Sequence, residues 1–238
     1  MQRRLEVGGV IRRVFSIYVD QAPVLMPAAA VVFVFTGVLS TVLTRADSGL
    51  RLVALLISLV ATTLFTGMVV ELVADVQDGR RDSSPGQLLH AVTPVLGHLL
   101  FVAIVAALLV LLGLILLIVP GLILITVWSV AAPVVVLERP PGLGALGRSR
   151  ELVRGNGWQV FGVIIVLDVF VAVVAGAIEA GAETAGTGAG IVVTVVVGIL
   201  TAPISALAAA VLYFDLGGTR PSELASTPDP QPDPFGAP

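Results

Sequence analysis

Leu99–Val119 reads LLFVAIVAALLVLLGLILLIV, a run without one polar side chain. A helix rises about 1.5 Å per residue, so a run of this length crosses a hydrocarbon core of roughly 30 Å. In water such a helix would be apolar on every side, with no polar face to turn outward. The stretch therefore belongs in a bilayer, where each backbone N–H and C=O has to be satisfied within the helix itself.

The composition extends that reading to the whole chain. Of its 238 residues, 57% are hydrophobic and 12% charged, and the mean hydropathy is +1.05; a soluble domain is about a quarter charged. No soluble catalytic domain fits beside the membrane segments. The sequence holds no cysteine, which excludes disulfides, thiolate nucleophiles and cysteine metal sites. The N-terminus begins with positive charge, but Arg12 and Arg13 interrupt the place where a signal-peptide core would lie, so the first apolar run reads as a retained span.

On either side of the central run the pattern repeats. Spans are expected at about 22–44, 52–73, 97–119, 122–137, 159–178 and 191–214, with Pro120-Gly121 forming the reversal between the third and fourth. Residues 5–20 place Val7, Ile11, Val14 and Tyr18 on one helical face and Arg12, Arg13 and Ser16 on the other, which describes an amphipathic helix in the membrane interface. Residues 84–93 form a second such helix, opened by Ser84-Pro85-Gly86-Gln87 as N-cap, first helical position and capping-box partner. Residues 142–155 form a third. Interface helix followed by membrane hairpin thus occurs three times, a repeat of element order. The expectation is an all-α integral membrane protein: six transmembrane helices plus about three amphipathic interface helices make one domain over 1–216. Residues 217–238, rich in proline, read as a disordered cytoplasmic tail.

All 13 basic residues are arginine, and the formal net charge of −3 hides their clustering. With six spans, only Arg45 and Arg51 fall on one side; all the others fall with the two termini, which the positive-inside rule places in the cytoplasm. The densest cluster is Leu137–Trp158, LERPPGLGALGRSRELVRGNGW. Its helix has Leu143, Ala145, Leu146, Leu152 and Val153 on one arc and Arg148, Arg150, Glu151 and Arg154 on the other. Arg139, Arg148, Arg150, Arg154 and the interfacial aromatic Trp158 are candidates for anchoring on anionic headgroups, where a juxtamembrane arginine gains about 1 kcal/mol.

Asp168 stands near the middle of the fifth span. A carboxyl there costs about 2.5–3.5 kcal/mol on insertion scales, so it is expected to face the bundle interior, as a relay group or as a protonated acid bonded to a neighbouring Ser or Thr. Glu71, Asp75 and Asp78 share a helix face beside Arg80 and Arg81 and read as a solvated, salt-bridged helix end. His90 and His98 flank Pro94, which disturbs the spacing that a metal pair uses. No metal, cofactor or nucleic acid is implied, and no nucleotide-binding loop, nucleophile elbow or metalloprotease motif is present.

Three runs carry a resemblance: APVVVLE at 132–138, ALGRSRELVRGNGWQVFGV at 145–163 and PISALAAAVLYFDL at 203–216. Together they resemble the membrane domain attached to some bacterial glycerophosphoryl diester phosphodiesterases, and related stand-alone six-span membrane proteins. The resemblance implies a bacterial inner-membrane protein. It implies no hydrolase activity, because in such proteins that chemistry belongs to a separate soluble barrel. The functional expectation is a scaffold or accessory module at the lipid interface, with membrane lipids, a membrane-protein partner or a second copy as companions. A small transporter or lipid-handling protein using the Asp168 region is the alternative, and a membrane-embedded enzyme ranks last.

Overall fold

The computed structural model describes residues 5–44, 48–79, 84–183 and 189–218. These form α1 (Val7–Asp20), α2 (Ala22–Thr44), α3 (Ser48–Gln77), α4 (Pro85–Val92), α5 (Leu96–Leu116), α6 (Ile118–Val127), α7 (Ala131–Pro133), α8 (Gly144–Val153), α9 (Gly157–Glu183) and α10 (Ala189–Asp215). A 3-10 turn at Thr93–Val95 joins α4 to α5, and a π-helical turn at Val134–Glu138 continues α7. No strand occurs among the described residues. Six stretches are long and apolar enough to cross a membrane, with α6, α7 and the π turn together making the fourth.

The helices outrun their apolar cores. The second span begins at Ser48 and ends at Gln77, wider than the expected 52–73, and the fifth continues to Glu183 through Glu179, Ala180, Gly181 and Ala182. Loss of hydrophobicity does not end a helix, and Ala and Glu are strong helix formers. α9 ends at Glu183 and α10 begins at Ala189, so 179–183, 189 and 190 of the loop expected at 179–190 are helical, and 184–188 lie outside the described residues.

The reversal between the third and fourth spans lies at Leu117, not at Pro120-Gly121. Leu117 is the one extended residue there, with φ −157° and ψ 131°, and α6 begins immediately after it. Pro120 sits in the first turn of α6, where its missing N–H would have had no intrahelical partner. Gly121 serves a different purpose. A Cβ on it would fall 2.4 Å from the Leu114 side chain, and one on Gly113 would fall 3.2 Å from the Gly121 backbone, so the pair lets α5 and α6 close against each other. Similar contacts bring Gly37 against Val195 and Gly198 against Phe33 where α2 crosses α10.

The capping box at the start of α4 forms as the sequence implies: the Gln87 side-chain oxygen accepts from the Ser84 N–H at 2.9 Å, and Ser84 Oγ accepts from the Gln87 N–H at 3.4 Å. α1 has Val10, Val14 and Ile17 buried. Its apolar stripe docks on the bundle, with Phe15 edge-on to Phe170 of α9 and the Tyr18 hydroxyl donating to the Leu200 carbonyl of α10 at 3.0 Å.

α10 is the central helix. Half of its span, 50%, is buried, against 11% for the third and fifth spans at the periphery. The core gathers at one end of the bundle. Its members include Leu25 and Ala29 on α2, Phe65, Val69, Val70 and Val73 on α3, Leu99 and Val102 on α5, Val160, Val163 and Leu167 on α9, and Leu207, Val211, Leu212 and Tyr213 on α10. α1, α4 and α8 cover that end as a collar. The expected tail begins slightly too early, because Gly217 and Gly218 complete the cap of α10; residues from 219 on lie outside the described residues, as do Arg80 and Arg81.

Candidate functional site: a hydrogen-bonded cluster and a charged cavity in the collar

The collar is pinned at Glu138. α7 ends in the π turn, where the Arg139 N–H reaches back five residues to the Val134 carbonyl at 3.1 Å, and Arg139 adopts a left-handed conformation (φ 52°, ψ 45°). Pro140 and Pro141 then prevent the helix from continuing. This termination leaves the Glu138 carboxylate pointing at the start of the island. One oxygen accepts from Arg148 Nε of α8 at 2.9 Å, and the other accepts from the Tyr213 hydroxyl of α10 at 2.9 Å. Burial lowers the affinity of the Arg148 guanidinium for its proton, but its hydrogen bonds and charge interactions with Glu138 and Glu151 outweigh that, and its pKa lies above the ordinary arginine value.

Tyr213 is fully buried, and the end of α10 is shaped around it. The Gly218 N–H donates to the Tyr213 carbonyl at 2.9 Å and the Gly217 N–H to the Phe214 carbonyl at 3.1 Å, with Gly217 at φ 89°. This is a Schellman cap. A Cβ on Gly218 would lie 2.3 Å from the Tyr213 ring, so only glycine fits. Two further bonds hold the island. Buried Ser149 donates to the Val127 carbonyl of α6 at 2.8 Å. His98 of α5 donates its Nε2 proton to the Gly142 carbonyl at 2.6 Å, an assignment that follows because a carbonyl can only accept.

Beside this cluster, between α1, α8 and the end of α10, lies a cavity of about 770 Å³. Among the described residues, six charged side chains line it: Glu6, Arg13, Arg148, Glu151, Arg154 and Asp215. Arg13 pairs with Asp215. Arg148 reaches Glu151 at 3.4 Å in addition to Glu138. Glu6 precedes α1 without capping it through its side chain, and Arg154 follows α8; neither has a side-chain hydrogen bond or ion pair among the described residues.

The candidate anchoring residues therefore separate. Arg148 and Arg154 face the cavity. Arg150 is exposed outside it, and Arg139 is exposed while its Nε donates to the Val136 carbonyl at 3.4 Å, helping to close the π turn. Trp158 is 84% exposed and edge-on to Phe161, as suits an aromatic at a membrane surface. Leu143 departs from the expected apolar arc, being 46% exposed, because it lies in the turn before α8, whose buried face is Ala145, Leu146, Ser149, Leu152 and Val153.

Asp168 is a second correction. It lies on the exposed side of α9, flanked by Val166, Val169 and Phe170, because the face that packs inward is Val160, Val163 and Leu167. Thr36, Thr62, Thr66, Thr126 and Thr201 each bond a carbonyl four residues earlier in their own helix. Asp168 has neither the expected Ser or Thr partner nor any other among the described residues.

Glu138 and Tyr213 carry the cluster, yet neither stands out by charge pattern or periodicity. The available signal was that each ends or nearly ends a resemblance run: Glu138 closes APVVVLE, Arg148 lies in the second run and Tyr213 in the third. The three runs meet at one carboxylate.

A family profile described as a domain of unknown function (DUF8558) matches residues 87–216. A UPF0259 membrane protein of Pectobacterium carotovorum subsp. carotovorum is 37% identical over 99 residues, which are 42% of this chain and 39% of that relative's length. No solved structure matches. Neither similarity carries the resemblance to the phosphodiesterase membrane domain. The profile covers more than half of the chain and contains Glu138, Arg148 and Tyr213, so this multi-pass membrane protein belongs to the DUF8558 family.

Proposed function

We propose that the protein is a membrane scaffold or accessory module of the bacterial cytoplasmic membrane that acts at the lipid interface through its collar. The carrying observation is that α1, α8 and the end of α10 are tied together around a charged cavity at the best-packed end of the bundle. Exposed Arg150 and Arg139, with Trp158, supply attraction to anionic headgroups. The arginine distribution supports placing this end, and both termini, in the cytoplasm. We read it as a binding protein rather than an enzyme, since most charged groups round the cavity are engaged in mutual ion pairs.

The absence of native cysteine makes the orientation directly testable. Gly147 is exposed with nothing near its Cβ position, so Gly147→Cys is expected to react with an impermeant maleimide only after the membrane is opened to the cytoplasmic side. Labelling in intact spheroplasts would overturn the orientation. Recovery of a defined partner on cross-linking in native membranes supports the scaffold role, whereas transport by the purified protein alone opposes it.

A transporter using Asp168 is the second reading, favoured by the mid-span carboxyl itself. Its outward position requires that the companion groups come from another chain. An identified flux unchanged by Asp168→Asn would end that reading.

A further inference from the structure

We propose that the collar cavity holds a zwitterionic phosphodiester headgroup of the phosphoethanolamine type, its phosphate on Arg154 and Asn156 and its ammonium on Glu6. The inference deepens the lipid-interface reading and rests on it.

The charges decide the ligand class. Among the described residues, three guanidiniums and three carboxylates line the cavity, a formal charge of zero. Four of the six are engaged, Arg13 with Asp215 and Arg148 with Glu151. Among the described residues, what remains is one carboxylate, Glu6 ahead of α1, and one guanidinium, Arg154 after α8, on separate elements of the lining. A headgroup carrying only a phosphodiester would satisfy Arg154 and leave Glu6 as an unanswered like charge. A cationic ligand would do the reverse. A group with both charges on a short linker answers each, and a guanidinium binds phosphate oxygens in a forked geometry.

The remaining lining agrees with this assignment. The Asn156 side chain has no hydrogen-bond partner among the described residues, and its amide can donate to a phosphate beside Arg154. Leu5, Val10, Leu152 and Phe214 provide apolar wall suited to a glycerol backbone and the first methylenes of its chains. The cavity volume of about 770 Å³ accommodates such a group together with water.

The test uses the full-length protein in detergent, titrated calorimetrically with dihexanoyl phosphatidylethanolamine, dihexanoyl phosphatidylglycerol and free glycerophosphoethanolamine. The ethanolamine lipid is expected to bind about tenfold or more tightly than the glycerol lipid, a ratio set by one charge-assisted contact. Glycerophosphoethanolamine binding equally well identifies a free phosphodiester as the source, and much weaker binding identifies the lipid; both uphold the headgroup chemistry. Arg154→Gln is expected to weaken both lipids about tenfold. Glu6→Gln is expected to weaken only the ethanolamine lipid, abolishing the preference, a change that a general loss of structure would not produce. Equal affinity for the two lipids in the native protein, no binding of either, or a Glu6→Gln effect common to both overturns the proposal. If Gly147→Cys still labels from the cytoplasmic side, such a failure removes this inference and leaves the lipid-interface reading standing.

Discussion

The two ends of the bundle are built differently. At the collar end, α3, α9 and α10 contribute fully buried Val, Leu and Phe, and polar bonds at Glu138, Ser149 and His98 fix the covering elements. At the far end most described apolar side chains are exposed: Val31–Val38, Leu52–Leu56, Leu108–Val119 and Val169–Val173 all include large outward residues. Among the described residues, glycine lets helices approach closely there at Gly37, Gly198 and the Gly113–Gly121 pair. Lipid tails are as apolar as leucine, so hydrocarbon gives the far end no hydrophobic reason to exclude them. On the interface reading proposed above, the collar borders headgroups and water, where burying the apolar faces of α1 and α8 is favourable and unmet hydrogen bonds are costly. On that reading, packing density follows the solvent at each end.

The comparison can be broken by substitution, read as thermal stability in one detergent. Glu138→Ala leaves the Arg148 charge and the Tyr213 hydroxyl without their shared acceptor. We expect a loss of about 2–3 kcal/mol, below the range for a fully buried pair because Glu138 keeps some solvent access; a change under about 0.5 kcal/mol would show that the cluster does not hold the collar. Leu207→Ala, in the buried centre of α10, is expected to cost about 2 kcal/mol, mostly from the cavity and lost contacts. Tyr213→Phe removes the hydrogen bond to Glu138 and keeps the ring on Gly218, for about 1 kcal/mol. Leu116→Ala sharpens the contrast. The same side-chain deletion at a residue 68% exposed at the far end is expected to change stability by less than about 0.5 kcal/mol. Equal effects at Leu116 and Leu207 would mean that the far end is as tightly packed as the collar, through partners outside this chain.

Much of the architecture was legible because it depends on local physics. The run at 99–119 announces a span by composition, and Ser84 and Gln87 announce a helix start by hydrogen-bonding capacity. The Leu117 reversal was not legible. Proline and glycine side by side suggest a break, yet proline is also well suited to a first helical turn, and only the packing of Gly113 on Gly121 distinguishes the two uses. Asp168 misled for a related reason. The energetic argument for an inward carboxyl is sound for a complete assembly, but the face of α9 that turns inward is chosen by Val160, Val163 and Leu167. Gly217-Gly218 carried a readable signal, since glycine after a helix marks its cap.

By itself the sequence determined that this chain lies in a membrane, that it crosses six times and that basic charge collects on one side, because hydrophobicity and charge act residue by residue against the bilayer. Only the tertiary structure decided that Glu138, Arg148 and Tyr213, separated by up to 75 positions, share one hydrogen-bonded cluster, and that Glu6 and Arg154 line one cavity. Those juxtapositions depend on which helix faces meet, and that choice comes from the packing of whole surfaces rather than from any local preference.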